Sequence, residues 1–392
     1  MRSLLILSIF AIYAVFTGGC RGKDKSKPVP TNPTPTQNQE LGENPSEAKE
    51  PEKPGQSFAG QAKLEFVAMA DTNGDGRNDI VSFTDLGVFV SLSNGKGFLA
   101  PSLWTRDFAW EDQDRFPRLL GDVNGDKKAD IVGFSRSNTV VAFSNGTSFG
   151  QMTVASNSFG FESADGNWAS QNIYPRMLGF VNADPYIDIV ACRASGCYVA
   201  LSTGVNFQMP TRDPWIADFS TERDGFTSED GWSSFDLFPR FLADVDGNGR
   251  TDIIGFGERG VWVSLAGQGK FEDKGVNAPQ NDFFGVEQDW TRQTETPRLI
   301  GDIDGDGRAD ILGFDLDGNV YISYGSSNLS EDIHYNNLEL ADYIADARIA
   351  GKSLAEFPRF LADIDGDSKA ELIFIKNPKN LLQPEIAIKK IK

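Results

Sequence analysis

A nine-residue pattern constrains this chain more than anything else in it. In its fullest form it reads D-x-[DN]-x-[DN]-G-x-x-D, and an apolar run follows. It begins at Asp71, Asp122, Asp244, Asp302 and Asp363, with a degraded copy beginning at Phe180, so the starts lie 51, 58, 64, 58 and 61 residues apart. A near-constant period of this size marks one supersecondary unit used six times, each unit burying its apolar face against the next. Within each copy, positions 1, 3, 5 and 9 carry oxygen-bearing side chains in one tight turn. That donor set suits a hard cation taking about six to eight oxygens, which is calcium. The expected ligands are Asp71, Asn73, Asp75 and Asp79; Asp122, Asn124, Asp126 and Asp130; Asp244, Asp246, Asn248 and Asp252; Asp302, Asp304, Asp306 and Asp310; and Asp363, Asp365, Asp367 and Glu371. The third copy lacks position 1 and keeps only Asn182, Asp184 and Asp188, with Pro185 where glycine is usual, so it is expected to hold metal weakly. About five calcium ions are expected in all.

Other residues keep register with the loops. Tryptophan stands 12 residues before the loop at Trp110, Trp168, Trp232 and Trp290. A Pro-Arg pair leads in five times, ending at Arg118, Arg176, Arg240, Arg298 and Arg359. Phenylalanine follows the first ligand by 12 residues at Phe83, Phe134, Phe256 and Phe314. The segments between these marks are short runs rich in β-branched and aromatic residues bounded by glycine, which is strand and hairpin chemistry. Only residues 338–350 hint at helical spacing. The fold class is therefore all-β. Units of this length holding about four short strands are the size of a propeller blade. Six blades are expected over residues 61–392, with ring closure drawing on strands from both termini. A seventh blade would have to come from the N-terminal segment. An EF-hand does not fit, because it needs a bidentate Glu at position 12 and flanking helices, and Ser82, Gly133, Gly255 and Gly313 stand there.

Residues 1–19 read as a lipoprotein signal. Arg2 precedes an apolar stretch from Leu4 to Phe16, too short for a membrane span of about 20 residues. Thr17-Gly-Gly-Cys20 resembles a bacterial lipobox, which makes Cys20 the acylated residue, and Arg21 after it favours the outer membrane. Residues 20–60 hold seven of the 19 prolines and almost no large apolar residue, so they form a disordered tether. A flexible chain of that length spans roughly 35 Å. The lipid is then the only expected link to the membrane. The formal net charge of −19 argues against nucleic acid, which rewards clustered Lys and Arg, and against an anionic lipid surface.

The motifs resemble the FG-GAP (VCBS) repeat of integrin α-subunit propellers, and more closely the integrin-like propeller lectins of the Psathyrella velutina type. The resemblance rests on Phe116-Pro-Arg-Leu-Leu-Gly-Asp-Val-Asn-Gly-Asp126, Asp130-Ile-Val-Gly-Phe134 and Gly87-Val-Phe-Val-Ser-Leu-Ser-Asn-Gly95, and covers residues 64–388. It implies a propeller with calcium in its strand-connecting loops and glycan recognition. Two departures stand out. Those lectins show seven repeats, and their His before Pro-Arg is Phe116, Tyr174, Phe238, Thr296 or Phe357 here, so the fold and the metal carry over and the sugar specificity does not.

Enzyme chemistry has little to stand on. His334 is the sole histidine, and there is no G-x-S-x-G run, zinc-type His/Cys cluster or Gly-Lys-Ser/Thr phosphate loop. The chain is read as no enzyme. The aligned tryptophans suit either inter-blade packing, which a repeated core demands, or sugar stacking on an indole face. Cys192 and Cys197 replace the Phe and Val of other copies across a hairpin, so a disulfide is expected in an oxidising compartment. Two function classes remain: a tethered adhesion or carbohydrate-binding module whose partner is a glycan or surface protein, and a non-catalytic scaffold in an envelope complex.

Overall fold

The computed structural model describes residues 62–164, 166, 168–220, 231–272, 283–325, 335, 338–341, 352–354, 356–376 and 385–391. Cys20, the tether and His334 lie outside the described residues.

Six antiparallel meanders follow one another along the chain. The first comprises β1 (Leu64–Ala70), β2 (Asp79–Thr84), β3 (Gly87–Ser91) and β4 (Ser102–Thr105), and the second β5 (Arg118–Gly121), β6 (Asp130–Phe134), β7 (Thr139–Ala142) and β8 (Thr153–Ser156). The third holds β9 (Arg176–Gly179), β10 (Asp188–Arg193) and β11 (Gly196–Ala200); the fourth holds β12 (Arg240–Ala243), β13 (Asp252–Phe256) and β14 (Val261–Ser264). The fifth is β15 (Arg298–Gly301), β16 (Asp310–Phe314), β17 (Val320–Ser323) and β18 (Glu339–Leu340), and the sixth is β19 (Arg359–Ala362), β20 (Glu371–Ile375) and β21 (Ile386–Lys389). The stretch with helical spacing thus opens as β18, and residues 342–350 lie outside the described set.

Each strand of the inner layers is buried on both faces, so its sequence is a continuous apolar run rather than an alternation. In β1, Phe66, Ala68 and Ala70 pack with Leu120, Ile131 and Val140 of the second sheet. The intervening Val67 and Met69 pack with Phe360, Ala362 and Ile373 of the sixth. Every pair of neighbouring sheets shares such a core, and the sixth-to-first core closes the ring. The fold is a six-bladed β-propeller.

Closure differs from the expectation. Among the described residues the first sheet is built from residues 64–105 and the sixth from 359–389, so no sheet there mixes strands from both termini. A belt of backbone hydrogen bonds joins the ends instead. The N–H at position 8 of each loop donates to the position 1 carbonyl of the preceding loop: Ala129 to Asp71, Ile187 to Asp122, Thr251 to Phe180, Ala309 to Asp244 and Ala370 to Asp302, at 2.7–3.0 Å. Asn78 to Asp363, at 2.7 Å, completes the circle. The belt runs through the degraded third loop as well, and it sets all six loops at one end of the ring.

Candidate metal loops and the opposite arginine rim

Five loops share one construction. Glycine at position 4 (Gly74, Gly125, Gly247, Gly305, Gly366) has φ of 76–81°, a left-handed conformation that costs glycine nothing. Position 6 is also left-handed, in Gly76, Gly249 and Gly307 and, at a cost of about 1 kcal/mol or more, in Lys127 and Ser368. These two turns aim backbone N–H groups at the position 1 carboxylate. Asp71 accepts from Gly74 (2.7 Å), Asp75 (3.2 Å) and Gly76 (2.8 Å), and Asp122, Asp244, Asp302 and Asp363 are held alike. Position 1 is the hub of the turn.

Position 9 is a strut. Asp79 Oδ2 accepts from the Thr72 N–H at 3.0 Å and Oδ1 from Ser93 at 2.8 Å, which ties the loop to the end of β3. Asp130, Asp252 and Asp310 repeat the pair. So does Asp188 of the third loop, through Val181 and Ser202, although Phe180 leaves that loop no hub and Pro185 cannot turn left-handed. The strut therefore works independently of the hub. Burial pushes the Asp79 carboxyl up to about 6, Asp188 and Asp310 to about 7 and Asp130 to about 8, and raises Asp252 well above its ordinary value. Burial likewise raises all four hub carboxyls from Asp71 to Asp302.

Three loops draw ligand atoms of three acids within 4.8 Å of one another: Asp244, Asp246 and Asp252; Asp302, Asp304 and Asp306; and Asp363, Asp365 and Glu371. Asn73 and Asn124 stand at position 3 in the first two loops, beside Asp75 and Asp126. This all-oxygen donor set, more buried at positions 1 and 9 and open to solvent at positions 3 and 5, fits a calcium ion, with positions 1, 3 and 5 as the adaptable ligands and position 9 as an acceptor already shared with backbone N–H groups. In the third loop Asn182 and Asp184 bond each other at 2.8 Å.

The opposite ends of the inner strands carry the arginines. Arg118, Arg176, Arg240, Arg298 and Arg359 are almost wholly buried. Arg298 donates from Nη1 to the carbonyls of Phe284 (3.2 Å) and Trp290 (3.0 Å) and from Nε to Gln293 Oε1 (3.1 Å). Gln293 returns a bond to the Arg298 carbonyl at 2.7 Å. Arg118 with Gln113 and Arg176 with Gln171 match this arrangement. Four guanidiniums also lie over a phenylalanine of the preceding blade: Arg118 over Phe83, Arg176 over Phe134, Arg298 over Phe256 and Arg359 over Phe314, at 4.8–5.3 Å. Burial lowers Arg118, Arg176 and Arg298 to about 9 and Arg359 to about 10, which leaves them charged at neutral pH. The glutamine brace at Trp+3 was missed in the sequence, although W-x2-Q recurs in three copies.

The tryptophans belong to this rim, and burial removes three of them as sugar platforms: Trp168 is 1% exposed, Trp232 0% and Trp290 6%. Only Trp110 is half-buried. Each pairs with a phenylalanine, Phe108, Phe159, Phe219 or Phe284, at 4.9–5.3 Å between ring centroids. In three blades both rings pack over a glycine of the middle strand. A Cβ at Gly313 would come within 2.5 Å of Trp290, and one at Gly255 within 2.6 Å of Trp232, which is why glycine stands there. In the third blade Cys192 and Cys197 oppose each other between β10 and β11 and are disulfide-bonded. Their N–H groups go to Pro175 and Ile216, so theirs is the closer, non-hydrogen-bonded register.

No protein-family model matches the chain, and no curated protein matches it. Among solved structures, an Agrocybe aegerita lectin, described as specifically recognising non-reducing terminal N-acetylglucosamine, is 28% identical with a TM-score of 0.62, over 83% of this chain and 80% of the lectin. The Photorhabdus luminescens Tc holotoxin pore is 14% identical with a TM-score of 0.51, over 79% of this chain but 13% of that one, and shares the fold alone. The chain has a propeller lectin-like fold.

Proposed function

We propose that this chain is a non-enzymatic carbohydrate-binding module, loaded with calcium and held on a bacterial envelope by an acylated Cys20. The observation that carries the reading is the likeness to a sugar-recognising lectin along most of both chains. Calcium is supported by the hub-and-strut loops, which gather oxygen donors in one turn and whose buried strut carboxyls are held toward the protonated form, so that they ionise fully near neutral pH only beside a counter-charge. When bound, the ion supplies that counter-charge. Positions 1, 3 and 5 hold it, while the struts keep the loops against the blades. The lipid anchor is supported by Thr17-Gly-Gly-Cys20 and the proline-rich residues behind it.

A glycan array tests the function. The mature protein should bind a restricted set of glycans in calcium, with ligands ending in N-acetylglucosamine the first to compare, and lose them in chelator. Binding to no glycan would overturn the reading in favour of a scaffold.

A further inference from the structure

The sixth loop differs from the other five in what stands across from its strut. In an antiparallel pair the residue directly opposite is fixed by register. β20 and β21 pair Leu372 with Lys389 and Ile373 with Ile388, which sets Lys390 opposite Glu371. The same register in the first five blades places Leu92, Phe143, Leu201, Leu265 and Tyr324 opposite Asp79, Asp130, Asp188, Asp252 and Asp310. An apolar or aromatic residue stands there every time except the last. Lys390 Nζ lies 2.5 Å from Asp365 Oδ2, 3.5 Å from Asp367 Oδ2 and 3.5 Å from Glu371 Oε1. One ammonium thus reaches positions 3, 5 and 9 together.

Among the described residues no other loop shows such an arrangement. In three of them a cation at position 7 pairs with position 5: Arg77 with Asp75, Lys128 with Asp126, and Arg308 with Asp306. Glu371 differs from the other struts as well. Its Oε2 accepts from Ile364 at 3.1 Å, as theirs do, but its other oxygen faces Lys390 where theirs take a backbone N–H.

Resting on the calcium reading of the loops, we infer that Lys390 is the resident cation of the sixth loop and excludes calcium from it, so that the ring takes four ions rather than five. The loop and the last strand of the chain are then fastened by the chain's own charge at the blade where the ring closes. An ammonium carried by the chain itself keeps the closing blade assembled when calcium is scarce, while the loops of blades 1, 2, 4 and 5 empty.

Calcium counted by equilibrium dialysis and elemental analysis tests this on the mature protein, Lys390→Ala and Lys390→Gln. Four ions are expected in wild type and five in each variant. Lys376→Ala removes an ion pair with Glu385 on the same strands and should leave the count at four. Melting adds a second readout: in chelator the Lys390 variants should melt below wild type, and saturating calcium should close the gap. Equal non-zero counts in wild type and both variants would overturn the inference and leave the calcium reading standing. A count of zero throughout would overturn the calcium reading and this inference with it.

Discussion

Buried charge is the main chemical statement of individual residues here, and its two signs are handled differently. The strut carboxyls of Asp79, Asp130, Asp188 and Asp310 titrate near 6–8 in the fold, against about 4 in an unfolded chain. Between those limits the folded state binds more protons, so stability is greatest at the low end and falls as pH rises. In chelator the melting temperature should therefore drop from pH 5 to pH 8, and saturating calcium should flatten that drop. A flat profile in chelator would show that the backbone N–H bonds alone satisfy the struts. The buried arginines stay charged, and each donates to at least one backbone carbonyl, while Nη2 of Arg118 and Arg298 and Nε of Arg359 have no hydrogen-bond partner among the described residues. Gln293→Leu should cost about 1–3 kcal/mol, because Arg298 Nε and its backbone N–H lose their acceptor inside the protein; denaturant unfolding measures it, and a loss under about 0.5 kcal/mol would contradict the brace. The arginine positions were legible in the sequence, whereas their partners were not. Carbonyl acceptors leave no mark on side-chain identity, and the glutamine that does mark them recurs in only three copies.

At the scale of the element, the repeat made blade number and loop register readable, because an apolar run between glycine turns has few ways to pair. The third blade shows what happens when one unit departs. Phe180 removes the hub and Pro185 the second left-handed turn, yet the strut and the belt bond persist. The position that elsewhere holds Phe83, Phe134, Phe256 or Phe314 holds Cys192 in this blade, bonded to Cys197. A staple across so short a hairpin is worth about 2 kcal/mol in chain entropy. Cys192→Ala with Cys197→Ala should lower stability by that order even in saturating calcium, with the calcium count unchanged. No change in melting would show the bond to be incidental. What the element scale hid was the register of β21: reading Lys390 against Glu371 needs the pairing, which lies beyond the last recognisable motif.

At the scale of the whole molecule, the described residues close the ring without exchanging strands, through the sixth-to-first core and the bond from Asn78 to Asp363. The expectation of a mixed sheet failed because the first blade finds all four of its strands within residues 64–105. For the proposed anchor, Cys20→Ala should move the protein from the detergent to the aqueous phase, since the proposed acylation is what would supply membrane affinity; equal partitioning of both forms would contradict lipidation. The proposed function rests on sugar binding that would depend on the metal loops. Calorimetric titration of the mature protein with a glycan ending in non-reducing N-acetylglucosamine, first in calcium and then in chelator, measures that directly. The expected result is saturable binding to several equivalent sites in calcium and none in chelator. An absence of binding in calcium, or binding of equal strength in chelator, would contradict it.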